Sequence, residues 1–373
     1  MDGNQLADNV KFLEQMLLAD CYDWFEGYHW CDLLLAKPDY ADRCDWDKLD
    51  GFSWWCLVDE NPEFADRCDW GKLDGDMWYY LLKKHPEYAD RCDWDKLGGS
   101  SLCYLLQEHP QLASYCDFSK LDDPDYWCKL LAVQPQFEKY CPWEKIDENS
   151  LWGYLLGAQP QFLDRWSLDK FNSTDWANFL SGQPQFADQC PWETFQGIDW
   201  AVLLCNQPQF ADQCPWGKLG ETDWTYLLAN QQAFAVHCNL DILDGSDWYE
   251  ILRNQPQIAD QCNWNKLKHQ DWCHLLLAQP QFANQCNCWN VFDNSEWEDL
   301  LTEHPLFISH CVPENLNGSC WSGILQKQPQ LAEYCSWQKL NEQDWLDLLA
   351  AQPQFIDVYN SIYEEDEEDE EEK

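Results

Sequence analysis

The residues of this sequence best equipped for chemistry are its cysteines, histidines and acids. One row of cysteines, Cys44, Cys68, Cys92, Cys116, Cys141, Cys190, Cys214, Cys238, Cys262, Cys286, Cys311 and Cys335, recurs at steps of about 24 residues, with Trp166 and Tyr359 in two of its places. Such a row could serve a disulfide framework or a metal centre. Equivalent residues of stacked helices lie about 8–10 Å apart, whereas a disulfide needs Cα atoms about 4.4–6.8 Å apart. A structural zinc needs four converging ligands, commonly opening with Cys-x-x-Cys, and the sequence has no such pair; Cys286 and Cys288 are one residue apart. A second set, Cys31, Cys103, Cys128 and Cys273, is scattered. The expectation is therefore small thiols packed under aromatic rings, with no metal and no cofactor.

The 8 histidines do not cluster. His85, His109 and His304 precede a proline where other repeats carry Gln134, Gln159, Gln183, Gln207, Gln255, Gln279, Gln328 and Gln352. A column of amides that must find partners reads as a hydrogen-bonded ladder between repeats. No glycine-rich phosphate loop, His-Glu-x-x-His or Gly-x-Ser-x-Gly occurs, and acids are too abundant for one pair to stand out as acid and base. The sequence reads as a protein without catalytic residues and not as an enzyme.

What positions these residues is a repeat. Prolines recur from Pro38 and Pro62 to Pro329 and Pro353, at steps of 24 with three of 25, and Gln232 takes one place. Eight residues before each of these positions stands a tryptophan, from Trp30 to Trp345, with Leu102 as the one substitute. Such a period marks a solenoid. In one unit Thr222 and Asp223 are expected to cap a helix. Trp224, Leu227 and Leu228 then share a helical face. In the unit before it, Pro208 suits the first position of a second helix, with Phe210, Ala211 and Cys214 on its apolar side. Pro215–Leu219 adds a further turn that buries Trp216 and Leu219. The one-residue insertions fall at the joints, at Asp122–Tyr126, at Asp147–Leu151 and beside Trp289. The expected fold is all-α, an α-solenoid of about 14 repeats, each an α-helix followed by a short α or 3-10 helix.

Residues 1–20 are expected to form an N-terminal capping helix, with Leu6, Val10, Leu13 and Leu17 on one face. Residues 21–363 hold the repeats, closed by Phe355, Ile356, Tyr359, Ile362 and Tyr363, and residues 364–373 read as a disordered acidic tail. The net charge of −44 lies mostly on the repeats, because the tail carries only eight of those charges. A field of this sign disfavours nucleic acid and anionic lipid and favours a basic partner. No apolar run reaches membrane-spanning length, and the N-terminus lacks the basic start of a signal peptide, so a monomer in the cytoplasm with reduced thiols is expected.

In unit length and in its mixture of α and 3-10 helix the repeat resembles the leucine-rich repeat variant class of α-solenoids. Its motif, Asp199-Trp200 through Gln207-Pro208-Gln209-Phe210-Ala211-Asp212-Gln213-Cys214-Pro215-Trp216, looks more like Trp- and Cys-rich tandem repeats of uncharacterised bacterial proteins. That resemblance implies no activity.

The two positions after the column tryptophan vary from repeat to repeat, and the second points about 200° away from it. Tyr79, Tyr80, Tyr104, Tyr154 and Tyr226 fall there. Exposed aromatics are enriched at binding surfaces. The reading is a protein-interaction scaffold with a tyrosine patch over the third to sixth repeats, framed by acids such as Asp66 and Asp90. Two alternatives are an acidic chaperone that sequesters a basic protein and a Trp-rich glycan-binding module.

Overall fold

A computed structural model describes residues 13, 14, 16–18, 22, 24–146 and 151–362. The fold is an all-α repeat solenoid, 77% helical, with no strand among the described residues. Two compact units divide it, one ending at Cys214 and one beginning at Pro215. No helix among the described residues is long and apolar enough to cross a membrane. Leu6, Val10, Tyr363 and the acidic tail lie outside the described residues, as does most of the expected capping helix; Leu13 and Leu17 are described and buried.

One repeat shows how the sequence dictates the elements. The helix Gly75–Lys84 begins where Asp74 accepts a hydrogen bond from the Met77 backbone at 2.9 Å. It ends at His85, held at φ −127° and ψ 69°. The residue before a proline avoids the α region, so the helix cannot continue. Pro86 opens a 3-10 helix, Pro86–Asp90, and a three-residue 3-10 turn follows at Trp94–Lys96. The second element, expected as α or 3-10, is a 3-10 helix in the repeats before the last, where Pro353–Phe355 is 3-10 and residues 356–362 continue as α-helix.

The capping differs from the sequence expectation in one respect. The helix Glu221–Asn230 starts after Gly220, and Asp223 sits inside its first turn, where its carboxylate accepts the Gly220 backbone N–H at 2.9 Å. Asp199, Asp247, Asp271, Glu296 and Asp344 reach back in the same way from the place just before a column tryptophan. The acid of the Asp-Trp pair thus closes the helix start from within.

The core is a row of indoles. Trp54, Trp78, Trp200, Trp248, Trp272 and Trp345 are almost wholly buried, with aliphatic partners three and four residues on. Where a 3-10 turn and the helix after it both carry the tryptophan, the two indoles stack, as Trp46 on Trp54 at 5.3 Å and 13°, and Trp192 on Trp200 at 5.2 Å and 16°. These outer indoles are half-buried: Trp216, expected to be buried, stacks on Trp224 with part of its ring still in solvent, while Leu219 is buried.

Two polar ladders join successive repeats. The expected amide column is one of them. Gln134 donates from Nε2 to the Gln107 carbonyl at 2.7 Å, Gln159 to Ala132, Gln183 to Gly157 and Gln279 to Arg253 at 2.8 Å. His109 and His304 place Nε2 against Lys83 and Leu277 carbonyls in the same way. These carbonyls close the preceding helix, where the helix itself supplies no donor. The second glutamine of Gln-Pro-Gln then donates to the first, as Gln136 to Gln134 at 2.8 Å. The other ladder was not read from the sequence. Lys72 donates to the Asp47 and Leu49 carbonyls at 3.0 and 2.6 Å, and Lys96 to Gly71 and Leu73 at 2.7 and 2.6 Å. Lys120, Lys266 and Lys339 repeat the arrangement.

Candidate functional site

The second position after the column tryptophan does face outward. Tyr80 is 58% exposed, Tyr104 45%, Tyr154 43% and Tyr226 44%. The first position behaves differently. Cys31, Cys103, Cys128, Gly153 and Ala177 are buried there, against the neighbouring helix. Cys103 donates to the Tyr126 carbonyl at 3.3 Å, and Ser322 to the Asp344 carbonyl at 2.8 Å. Tyr79 occupies this interhelical position and is half-buried. Its variability therefore reflects helix spacing as well as surface.

Of the tyrosines expected to form a patch over the third to sixth repeats, Tyr79 and Tyr80 meet one another. Ring contacts gather Phe52, Trp55, Tyr79 and Tyr80: Phe52 meets Trp55 at 5.5 Å, Trp55 meets Tyr80 at 6.5 Å, and Tyr79 meets Tyr80 at 5.1 Å. Phe52 is as exposed as Tyr80. Tyr104 and Tyr154 stand outside this cluster, on Gly99–Glu108 and Trp152–Ala158, and the helix Pro124–Val133 between them carries Lys129 at the equivalent place. The sequence did hold a signal for Phe52. It lies four residues before Cys56, which occupies the outward position, and residues four apart share a helical face.

Ion pairs brace the cluster at the helix ends. Lys84 meets Asp59 at 2.9 Å and Lys83 meets Glu108 at 2.9 Å, so these cations are held above their usual range mainly by those carboxylates. With both lysines occupied, Asp76 on the tyrosine-bearing helix stays exposed. Asp66 and Asp90 are also exposed, but on the 3-10 helices and not on the helices that carry the tyrosines.

Tyr226 belongs to the other compact unit. It lines a groove of about 440 Å³ with Thr222, Thr225, Asn230 and Glu250. Nearby, the oxygens of Glu221, Asp244 and Asp247 lie within 4.8 Å of one another. Local capping accounts for this trio. Asp247 accepts from Thr225 at 2.7 Å and from the Asp244 backbone at 2.8 Å, while Asp244 accepts from Ser246 and from the Asp247 backbone. Glu221 is pushed up by its hydrogen bond to Asp247.

None of the described cysteines is in a disulfide. Burial pushes Cys68, Cys92, Cys116, Cys262 and Cys335 up to about 12, which keeps them protonated and inert near neutral pH. Cys286 differs: its Sγ lies 3.7 Å from that of Cys288, and the contact lowers it.

Comparison with protein-family models, with curated proteins and with solved structures finds no match to this chain.

Proposed function

We propose that this protein is a non-catalytic scaffold that binds another protein through the outward faces of its first helices. The observation that carries this reading is the contrast between columns. The tryptophan, leucine and glutamine columns serve the core and the ladders in repeat after repeat, whereas the outward position changes and exposes Tyr80, Tyr104, Tyr154 and Tyr226. Tyrosine combines a large contact area with little rotamer entropy to lose, which suits it to this use. The likeness to the leucine-rich repeat variant class, in period and element type, agrees with a scaffold.

The partner we infer is basic. The net charge is −44, and the lysines of the turn column spend their ammonium groups on backbone carbonyls inside the solenoid. A chaperone or sequestering role toward a basic protein uses the same field. A glycan reading needs tryptophan faces in solvent, and the column rings are in the core. A monomer working in the cytoplasm is the setting we assign.

The test is capture of a partner by the full chain and by a Tyr80→Ala, Tyr104→Ala, Tyr154→Ala variant, at low and high salt. The scaffold reading expects a protein that the variant loses and that salt releases. The same protein captured equally by both chains removes the tyrosine face from the account.

A further inference from the structure

The joint Cys286–Asp293 breaks the pattern of its neighbours in three ways. It is one residue longer between its column cysteine and its outer tryptophan, and the extra length separates Cys286 from Cys288 by a single residue. The three-residue 3-10 turn found in neighbouring repeats is replaced by a plain turn over residues 289–291. Asn315 also stands where the next repeat would place the lysine that reaches back onto this turn. The shorter side chain helps to leave a cavity of about 360 Å³, lined by Cys286, Trp289, Asn290, Trp297, His310 and Asn315. The two sulfurs are already in contact at 3.7 Å, Cys286 on the cavity wall and Cys288 half-exposed.

We propose that Cys286 and Cys288 form a dithiol site that is reversibly oxidised to a disulfide by a low-molecular-weight disulfide of the glutathione type. Three independent features converge on the pair: sulfurs in contact, a cavity that opens onto one of them, and a joint without the 3-10 turn that would stiffen it. Closing the bond brings the sulfurs from 3.7 Å to about 2.05 Å, within a segment three residues long.

The step balances as two exchanges. The Cys286 thiolate attacks one sulfur of the small disulfide, forming a mixed disulfide and releasing one thiolate. Cys288 then loses its proton and attacks the Cys286 sulfur, forming the intramolecular S–S bond and releasing the second thiolate. The two cysteine sulfurs are oxidised, the small disulfide is reduced to two thiols, and the two protons given up by the cysteines end on them. Cys286 is the attacking group because it lines the cavity through which the small disulfide would enter, and its contact with Cys288 lowers it. The other column cysteines, such as half-buried Cys262 and Cys311, are pushed up to about 12 and supply little thiolate to compete.

The test uses the full reduced chain in a buffer of oxidised and reduced glutathione, with remaining thiols alkylated and mapped by mass spectrometry over time. The expected result is a Cys286–Cys288 disulfide forming at least about 10-fold faster than any product at the other cysteines. Cys288→Ser is expected to stop at a mixed disulfide on Cys286, and Cys286→Ser to lose the fast phase. Circular dichroism of each variant checks folding; should Cys286→Ser unfold, the mapping in the unaltered chain and in Cys288→Ser decides alone. Oxidation spread evenly over the column cysteines, or disulfides between chains in place of the internal one, would overturn the proposal. A separate arm adds zinc: 1:1 protection of both thiols from glutathione at micromolar metal would assign the pair to a metal and sink the redox reading.

Discussion

A single glutamine at the end of most first helices answers three demands at once. Its backbone N–H completes the helix, as Gln134 does toward the Leu130 carbonyl at 2.7 Å. Its Nε2 reaches the end of the preceding helix, and its Oε1 receives the next glutamine of Gln-Pro-Gln. Gln134→Ala deletes the last two contacts and leaves the Gln107 carbonyl without this donor. A loss of about 1 kcal/mol is expected in urea unfolding. Gln134→His should keep most of that stability, since His109 and His304 make the same reach from Nε2. The ladder was legible because an amide before proline recurs in phase. The lysine ladder was not, although Lys72, Lys96 and Lys120 also recur. A charged side chain on a turn looks like surface until the carbonyls it meets are known, and those lie 23 to 26 residues back in the chain.

At the scale of elements, the size of the residue just after the column tryptophan controls how closely one helix meets the next. The helix Trp152–Ala158 carries Gly153 there, and its backbone N–H donates to buried Asp175 at 3.1 Å. A methyl at Gly153 would run into the Asp175 backbone, which cannot swing away. Gly153→Ala is therefore expected to cost about 1–3 kcal/mol. Gly217, in the turn Trp216–Lys218, faces open space. Gly217→Ala should stabilise by about 0.4–1 kcal/mol by restricting the unfolded chain. Chemical denaturation of the two variants side by side checks both signs. The positions of the helices could be read from proline and tryptophan spacing, but their separations could not. Tyr79 is grouped with the surface tyrosines in the sequence because its column varies and it adjoins Tyr80, and it lies half-buried because the neighbouring helix comes close enough to cover it. The cluster around Trp55 was missed for the same reason: it forms across two helices, and a pattern within one repeat does not reveal which rings meet between repeats.

At the scale of the whole molecule, the cysteine column is a stability term spread along the solenoid. Half-buried thiols such as Cys68, Cys92 and Cys116 are protonated in the folded chain up to about 12, against an ordinary value of 9.0. The folded state thus holds protons that the unfolded chain has begun to release. The contribution is fully present below pH 9 and is lost as pH rises from there toward 12. The urea midpoint, followed by tryptophan emission, should fall steeply across this window. A Cys68→Ala, Cys92→Ala, Cys116→Ala variant should start lower and fall less steeply. The two ladders have a further consequence, because they have a direction. In each rung above, the donor side chain belongs to the later repeat and the acceptor carbonyl to the earlier one. Synthesis delivers a chain from its N-terminus at about 5–20 residues per second. Each repeat that leaves the ribosome therefore meets its ladder acceptors already in place, while contacts such as Cys103 with the Tyr126 carbonyl close when the following repeat arrives. The order of translation and the order of assembly coincide, so a growing chain can add one repeat at a time without long exposure of its indole-rich faces.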